Sequence, residues 1–267
     1  MNMAEIKEAK GKITEAREKG ILLYLVGVSH IFGSPPVDDL VKLIEPDVIL
    51  MEGCTPSSTY SKGIATGEFE DELNDPRLVW QVPNLHSIKE TVDSLDCFVS
   101  GWDLSREEKD RLESNLTSER LERIYNGMTE RVYSILYEKT PKSMSTEEYR
   151  ALEGIYSKLD DIEVGINDIN HVLYGCIELA KVIEPNQELL SRRFGREVEA
   201  FRRFKEEADS YLQVRETSVF DTMNKHYDGN KRILILSGGA HFEDSSYLIK
   251  AIEEKRIPYL RLDNNSS

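Results

Sequence analysis

Cysteine is scarce: Cys54, Cys97 and Cys176 are widely spaced in 267 residues and form no CxxC pair. That argues against a disulfide framework and a thiolate zinc site, and predicts a reducing, cytoplasmic setting. Long apolar runs are missing as well. No stretch approaches the roughly 20 residues needed to span a bilayer, and the charged segment 1–20 has no signal-peptide core. Cations are outnumbered, with 34 Lys and Arg against 49 Asp and Glu and a net charge of −15. A sequence-independent grip on nucleic acid or on anionic lipid needs the opposite balance, so neither partner is expected. Walker-type, GxGxxG, HExxH and GxSxG motifs are all absent, and the nucleotide-dependent, zincin and serine-hydrolase mechanisms that rest on them lack support.

What the chain does contain is the pattern of an α/β protein. Hydrophobic residues make up 39% and charged ones 31%, a globular composition long enough for a substantial core. Residues 3–19 read as a surface helix ended by Gly20. The continuous apolar runs Ile21–Val26 and Asp47–Met51 read as strands buried on both faces, as in a parallel sheet. A short helix over 37–45 separates them, and a polar loop runs from Glu52 to Gly67. Cys97–Ser100 is a weaker third strand ending at Gly101-Trp102-Asp103. From about 104 to 228, apolar residues recur at three- and four-residue spacing, which predicts an all-helical insertion of about four helices. Strands return at Arg232–Leu236 and Tyr259–Leu262, around a helix near 244–255. The expected architecture is a single domain: a mostly parallel central sheet flanked by helices, its core at about 20–103 and 229–262, interrupted by the helical insertion.

In open α/β sheets ligands bind at the carboxyl ends of the strands. Three strands here end in groups capable of chemistry: Gly27-Val28-Ser29-His30, Met51-Glu52-Gly53, and Gly238-Gly239-Ala240-His241. Glycine after a buried strand allows a sharp turn, and the histidine three residues on is then held at the sheet edge. With 16 Gly and 5 His, one GxxH match carries little weight, but two, each directly after a buried strand, point to His30 and His241 as a functional pair. Imidazole is both a metal ligand and a base near neutral pH. Glu52 completes a two-histidine, one-carboxylate set or caps a following helix; as part of the set it is third ligand or general base, which sequence alone does not separate.

On the helix expected over about 187–226, Phe194, Phe201, Phe204, Ala208, Leu212, Val219 and Met223 share one face. Arg215 falls near the centre of this stripe, and His226 joins it if the helix is straight. A core-facing arginine binds an anion or orients Glu52, or else snorkels or pairs with Glu216. Ser29, Gly239 and Asp103 are weaker candidates for substrate contact. His86 and His171 read as ordinary helical residues, Cys54 as a possible pocket-lining residue, and Tyr60 as a solvated loop tyrosine.

These pieces, in this order, resemble the TraB/PrgY/Tiki superfamily, and more distantly the erythromycin-esterase and ChaN groups. The matching segments are Gly27-Val28-Ser29-His30, Pro46–Glu52, Val214-Arg215-Glu216 with Met223, and Gly238-Gly239-Ala240-His241, with Asp103 where relatives carry an acidic residue. The likeness covers the core, about 20–103 and 210–262. It implies a metal-dependent hydrolase of peptide bonds. His30, His241 and Glu52 would hold a divalent zinc, manganese or cobalt ion, Arg215 would support the oxyanion or substrate, and the insertion would form a specificity lid. Unlike Tiki proteins and many TraB members, this chain shows no membrane anchor, so an intracellular peptide or small-molecule substrate is expected. A homodimer remains open. The erythromycin-esterase likeness implies instead a metal-free esterase, and the PrgY and ChaN likenesses a peptide-signal or haem-binding protein without turnover.

Overall fold

The computed structural model describes residues 3–28, 37–75, 85–138, 144–162, 164–166, 168–242, 244 and 246–262. The chain divides into two compact units, Met1–Arg106 with Gln213–Ser267, and Glu107–Leu212.

The first unit holds a seven-stranded sheet: β1 (Leu23–Val28), β2 (Val48–Met51), β3 (Thr59–Ser61), β4 (Ile64–Ala65), β5 (Phe98–Gly101), β6 (Ile233–Gly238) and β7 (Tyr259–Leu262), in the order β4-β3-β5-β2-β6-β1-β7. The apolar runs pair in parallel, β5 with β2, β2 with β6, β6 with β1 and β1 with β7. Among the described strands only the short β3 and β4 are antiparallel. This is the mostly parallel α/β sheet expected.

Strand alternation sorts the core into two layers. Tyr24, Val26, Ile49, Met51, Leu234 and Leu236 pack on one face against α1 (Met3–Glu18), α2 (Val37–Ile44), α3 (Glu68–Asn74) and α4 (Leu85–Leu95). Leu23, Leu25, Val48, Leu50, Ile233 and Ile235 form the other face with α10 (Tyr247–Glu254) and with Val219, Phe220 and Met223 of the long helix α9 (Gln187–His226). The chain leaves β1 for α2 on the first face and leaves β6 for α10 on the second. The connections therefore diverge between the neighbouring strands β1 and β6, the kind of switch point where open α/β sheets bind ligands.

Two local readings are corrected. Gly27 and Val28 are not turn residues: β1 continues through them because β6 pairs them with Ser237 and Gly238. The expected polar loop at 52–67 contains the β3–β4 hairpin, whose Lys62 and Gly63 both have positive φ (52° and 81°), as a two-residue primed turn requires.

The second unit contains α5 (Arg106–Glu113, which starts one residue before it), α6 (Ser118–Tyr133), a π-helical turn (Ser134–Glu138), α7 (Thr146–Asp160), α8 (Ile169–Ile183) and the first part of α9. α9 spans the range its periodicity predicts, with a break at Phe194 (φ −134°, ψ 39°). Its apolar stripe is buried in two places. Phe194, Phe201, Phe204 and Ala208 join the helical core, and Val219 and Met223 join the sheet. The helices run from Arg106 to His226, while the compact helical unit ends at Leu212, because the last turns of α9 pack with the sheet.

Candidate functional site

Alternation aims the strand-end residues. Glu52 extends the Val48 and Leu50 side of β2, Ser237 the Ile233 and Ile235 side of β6, and Trp102 belongs to the same layer. All three therefore face the layer containing the end of α9, and Arg215 and Glu216 of α9 meet them there.

Two glycines make the approach possible. Gly53 takes a φ of 92°, where side chains are disfavoured, so the chain turns immediately after Glu52. A Cβ on Gly101 would lie 2.3 Å from the carbonyl oxygens of Cys54 and Thr55, so only glycine lets this loop cross the end of β5. The crossing is then tied by Asp103 N–H donating to the Cys54 carbonyl (2.8 Å) and Gly53 N–H to Asp103 Oδ2 (3.3 Å).

Arg215, 4% exposed, is the hub. Its Nε donates to Asp103 Oδ1 (3.0 Å), and its Nη2 to Asp103 Oδ2 (2.7 Å) and Glu52 Oε1 (2.6 Å). A guanidinium fork on one carboxylate with a branch to a second is geometry that lysine does not reproduce. The other Glu52 oxygen, Oε2, accepts from Ser237 Oγ (2.8 Å) and Gly238 N–H (2.7 Å). Burial alone would raise the Glu52 carboxyl, but the Arg215 charge, His241 and the Gly238 N–H hold it well below the usual range.

His241, in the 3-10 turn Gly239–Phe242 that follows β6, is buried with Nε2 3.7 Å from Glu52 Oε1. Its Nδ1 lies 3.2 Å from Glu216 Oε1. Glu216 Oε2 accepts the Tyr247 (2.5 Å) and Leu248 (3.2 Å) N–H groups, which open α10. Glu216 thus joins the imidazole to a helix N-terminus, where a carboxylate is favoured. Burial disfavours a charged His241, yet Glu216 and Glu52 on either side raise its pKa to about 9. Trp102, fully buried, meets the His241 ring edge-on at 5.7 Å and lies under the Arg215 guanidinium at 5.8 Å. Among the described residues its buried Nε1 has no hydrogen-bond partner.

Of the residues singled out in the sequence, Glu52, Asp103, Arg215 and His241 come together at the carboxyl ends of β2, β5 and β6. Ser29 and His30 lie outside the described residues. Gly239 begins the 3-10 turn that carries His241. Arg215 reaches Asp103 and Glu52, and Glu216, which sequence offered only as its partner, turns to His241 instead. Ser237 and Trp102 were not singled out. The stripe argument that flags Arg215 applies equally to Glu216, four residues after Leu212 and three before Val219.

The remaining candidates stand apart. His226 is half-buried against Phe98 (5.3 Å), His171 sits 3.2 Å from Asp168 Oδ1, and His86 is exposed on α4. Tyr60 is not a solvated loop residue: it is fully buried on β3, and its hydroxyl donates to Asp93.

Among the described residues no group of three or more His, Cys, Asp or Glu side chains is arranged to hold a metal ion. His241 has its Nδ1 engaged by Glu216 and its Nε2 facing Glu52. Searches find no family model, curated protein or solved structure that matches this chain. Among the described residues no helix is long and apolar enough to cross a membrane.

Proposed function

We propose that the chain is a metal-dependent hydrolase of the TraB and Tiki type, acting on a peptide bond. The observation that carries this reading is the pairing of His241 Nε2 with Glu52 Oε1 at 3.7 Å, with Nδ1 backed by Glu216. His241, Glu52 and, from the resemblance, His30 would hold a divalent zinc, manganese or cobalt ion. Such an ion supplies a water of lowered pKa and polarises the scissile carbonyl.

The chain's own residues set the stage. Three donors, from Arg215, Ser237 and Gly238, clamp Glu52 on both oxygens, so it acts as a fixed charge rather than a swinging proton shuttle. That favours the ligand role over the general-base role. Arg215, spent on Asp103 and Glu52, orients the carboxylate. Glu216 fixes the imidazole plane and leaves Nε2 toward the reacting centre.

A second reading rests on Arg215 itself, which balances Glu52 with no metal required: a metal-free hydrolase like the erythromycin-esterase group, with a histidine as base. Mass spectrometry of protein purified without chelator or affinity tag separates the two. Near-stoichiometric zinc, manganese or cobalt, lost in a His30→Ala/His241→Ala double variant, supports the metalloenzyme. No metal bound or taken up on titration, or peptide hydrolysis that survives thorough chelation, overturns it.

A further inference from the structure

Three tyrosines gather on the surface of the helical unit. Tyr133 ends α6, Tyr137 lies in the π-helical turn that follows, and Tyr156 belongs to α7. Their ring centroids form a triangle with sides of 4.9, 6.0 and 6.0 Å. Core packing does not account for it. Val132 and Leu136 take the buried positions of this segment and Tyr156 leans on the same core, but Tyr133 and Tyr137 stay 43% and 59% exposed. A groove of about 600 Å³ runs beside the rings, lined by Thr129, Glu130, Arg131, Tyr133, Ser134 and Tyr156. Ligand clefts have volumes of roughly 300–1,000 Å³. The π-helical turn itself is a rare element, frequent at functional positions.

The charge around the rings has one sign. Glu130 is on the groove wall, and Glu153 and Asp160 stand three residues before and four after Tyr156, the spacing of same-face neighbours on a helix. All three are exposed, and among the described residues none has a Lys or Arg within 4.0 Å. Arg131 is already held by Glu197 Oε1 at 3.0 Å. Lys158, two positions past Tyr156, falls on the other side of α7. Partial burial, then the Asp160 carboxylate, raise the pKa of the Tyr156 phenol, so the acidic field reaches the rings. Thr129 adds an unused acceptor. A helical threonine commonly bonds the carbonyl a turn behind it, yet among the described residues its buried Oγ1 has no partner.

Electron-rich ring faces beside carboxylates without counter-charge attract a cation. A planar guanidinium meets both at once, stacking on a ring while its N–H groups fork onto a carboxylate, which the compact ammonium of lysine does not do. Tyrosine and arginine are also enriched together at protein interfaces.

We propose that the Tyr133, Tyr137 and Tyr156 face docks an arginine-containing basic segment of a partner protein, with a guanidinium stacked on a tyrosine ring and paired with Glu130 or Asp160. The face belongs to the helical unit and does not depend on the proposed hydrolase activity.

Fluorescence anisotropy of a labelled peptide of alternating Gly and Arg, titrated with the full chain at about 0.15 M salt, tests it. Saturable binding is expected, about threefold or more tighter than that of the matching Gly and Lys peptide. Tyr137→Ala, which removes an exposed ring, should weaken it about fivefold, and Tyr137→Phe, which keeps the ring face, should restore it. Glu130→Gln/Asp160→Asn should weaken it about fivefold as well. Two controls should change affinity by less than about twofold: Tyr174→Ala, a tyrosine equally exposed on α8 (60%), and Glu90→Gln/Glu254→Gln, which removes the same charge from the other unit. Absence of saturable binding overturns the proposal. Equal losses in the controls, or equal affinity for the lysine peptide, would mean diffuse attraction to an acidic chain and overturn it too. Tighter binding of a proline-rich peptide without basic residues would assign the face to another occupant and overturn it in turn.

Discussion

Replacing Arg215 with methionine leaves Glu52 and Asp103, with side chains 8% and 0% exposed, in the interior without their shared guanidinium. Breaking a buried ion pair from one side costs about 3–5 kcal/mol, so Arg215→Met should lower stability by that amount in urea denaturation. A loss below about 1 kcal/mol would contradict the hub role given to Arg215. Glu216→Gln preserves shape while removing the charge behind His241. On the proposed metalloenzyme reading, a competitive-chelator titration should show metal affinity reduced about 10–100-fold, and unchanged affinity would mean that Glu216 only caps α10. His226 supplies a pH dependence away from the site. Burial, then Lys231 and Lys225, depress its folded pKa below 6.5, so the native state binds this proton less readily than the unfolded chain. Its contribution is complete above pH 6.5 and is lost as pH falls through the depressed value. Unfolding midpoints at pH 7.5 and 5.5 should therefore differ less in His226→Gln than in the natural chain. Much of the residue scale was legible beforehand, because strand-end and stripe positions single out Glu52, Arg215, Asp103 and His241. The Glu216 contact with His241 was not legible, because helical periodicity says which face a side chain takes, not which of two nearby partners it chooses.

At the scale of elements, the loop after β2 is held to β5 by close backbone approach rather than by side-chain packing. Gly101→Ala would put a methyl 2.3 Å from two carbonyl oxygens, a collision that only main-chain movement relieves. The expected result is a destabilisation of about 2 kcal/mol or more, together with displaced Glu52 resonances in NMR spectra. A neutral Gly101→Ala would show that the loop moves at little cost. The long apolar strands were readable because burial on both faces makes them continuous hydrophobic runs. The β3–β4 hairpin was not, since strands of three and two residues carry too little pattern and Lys62-Gly63 is a weaker turn signal than Asn-Gly.

For the whole molecule, composition and run length identified the α/β class and the interruption by helices. The helices run from Arg106 to His226, while the compact helical unit ends at Leu212, because the periodicity of α9 continues while its apolar face changes the core it serves. The strand order carries one more consequence, for how the chain reaches this state. Ile233 pairs with Leu23 on one side and with Val48 on the other, so β6 fills a slot between two strands made long before it. Until that late segment arrives, β1 and β2 have no common neighbour, and the clamp on Glu52 lacks Ser237 and Gly238. Closing such distant pairings is slow, and half-built sheets expose unpaired edges. A ribosome-stalled chain ending before Lys231 should therefore be protease-sensitive through the β1 and β2 region, with protection appearing only once β6 has emerged.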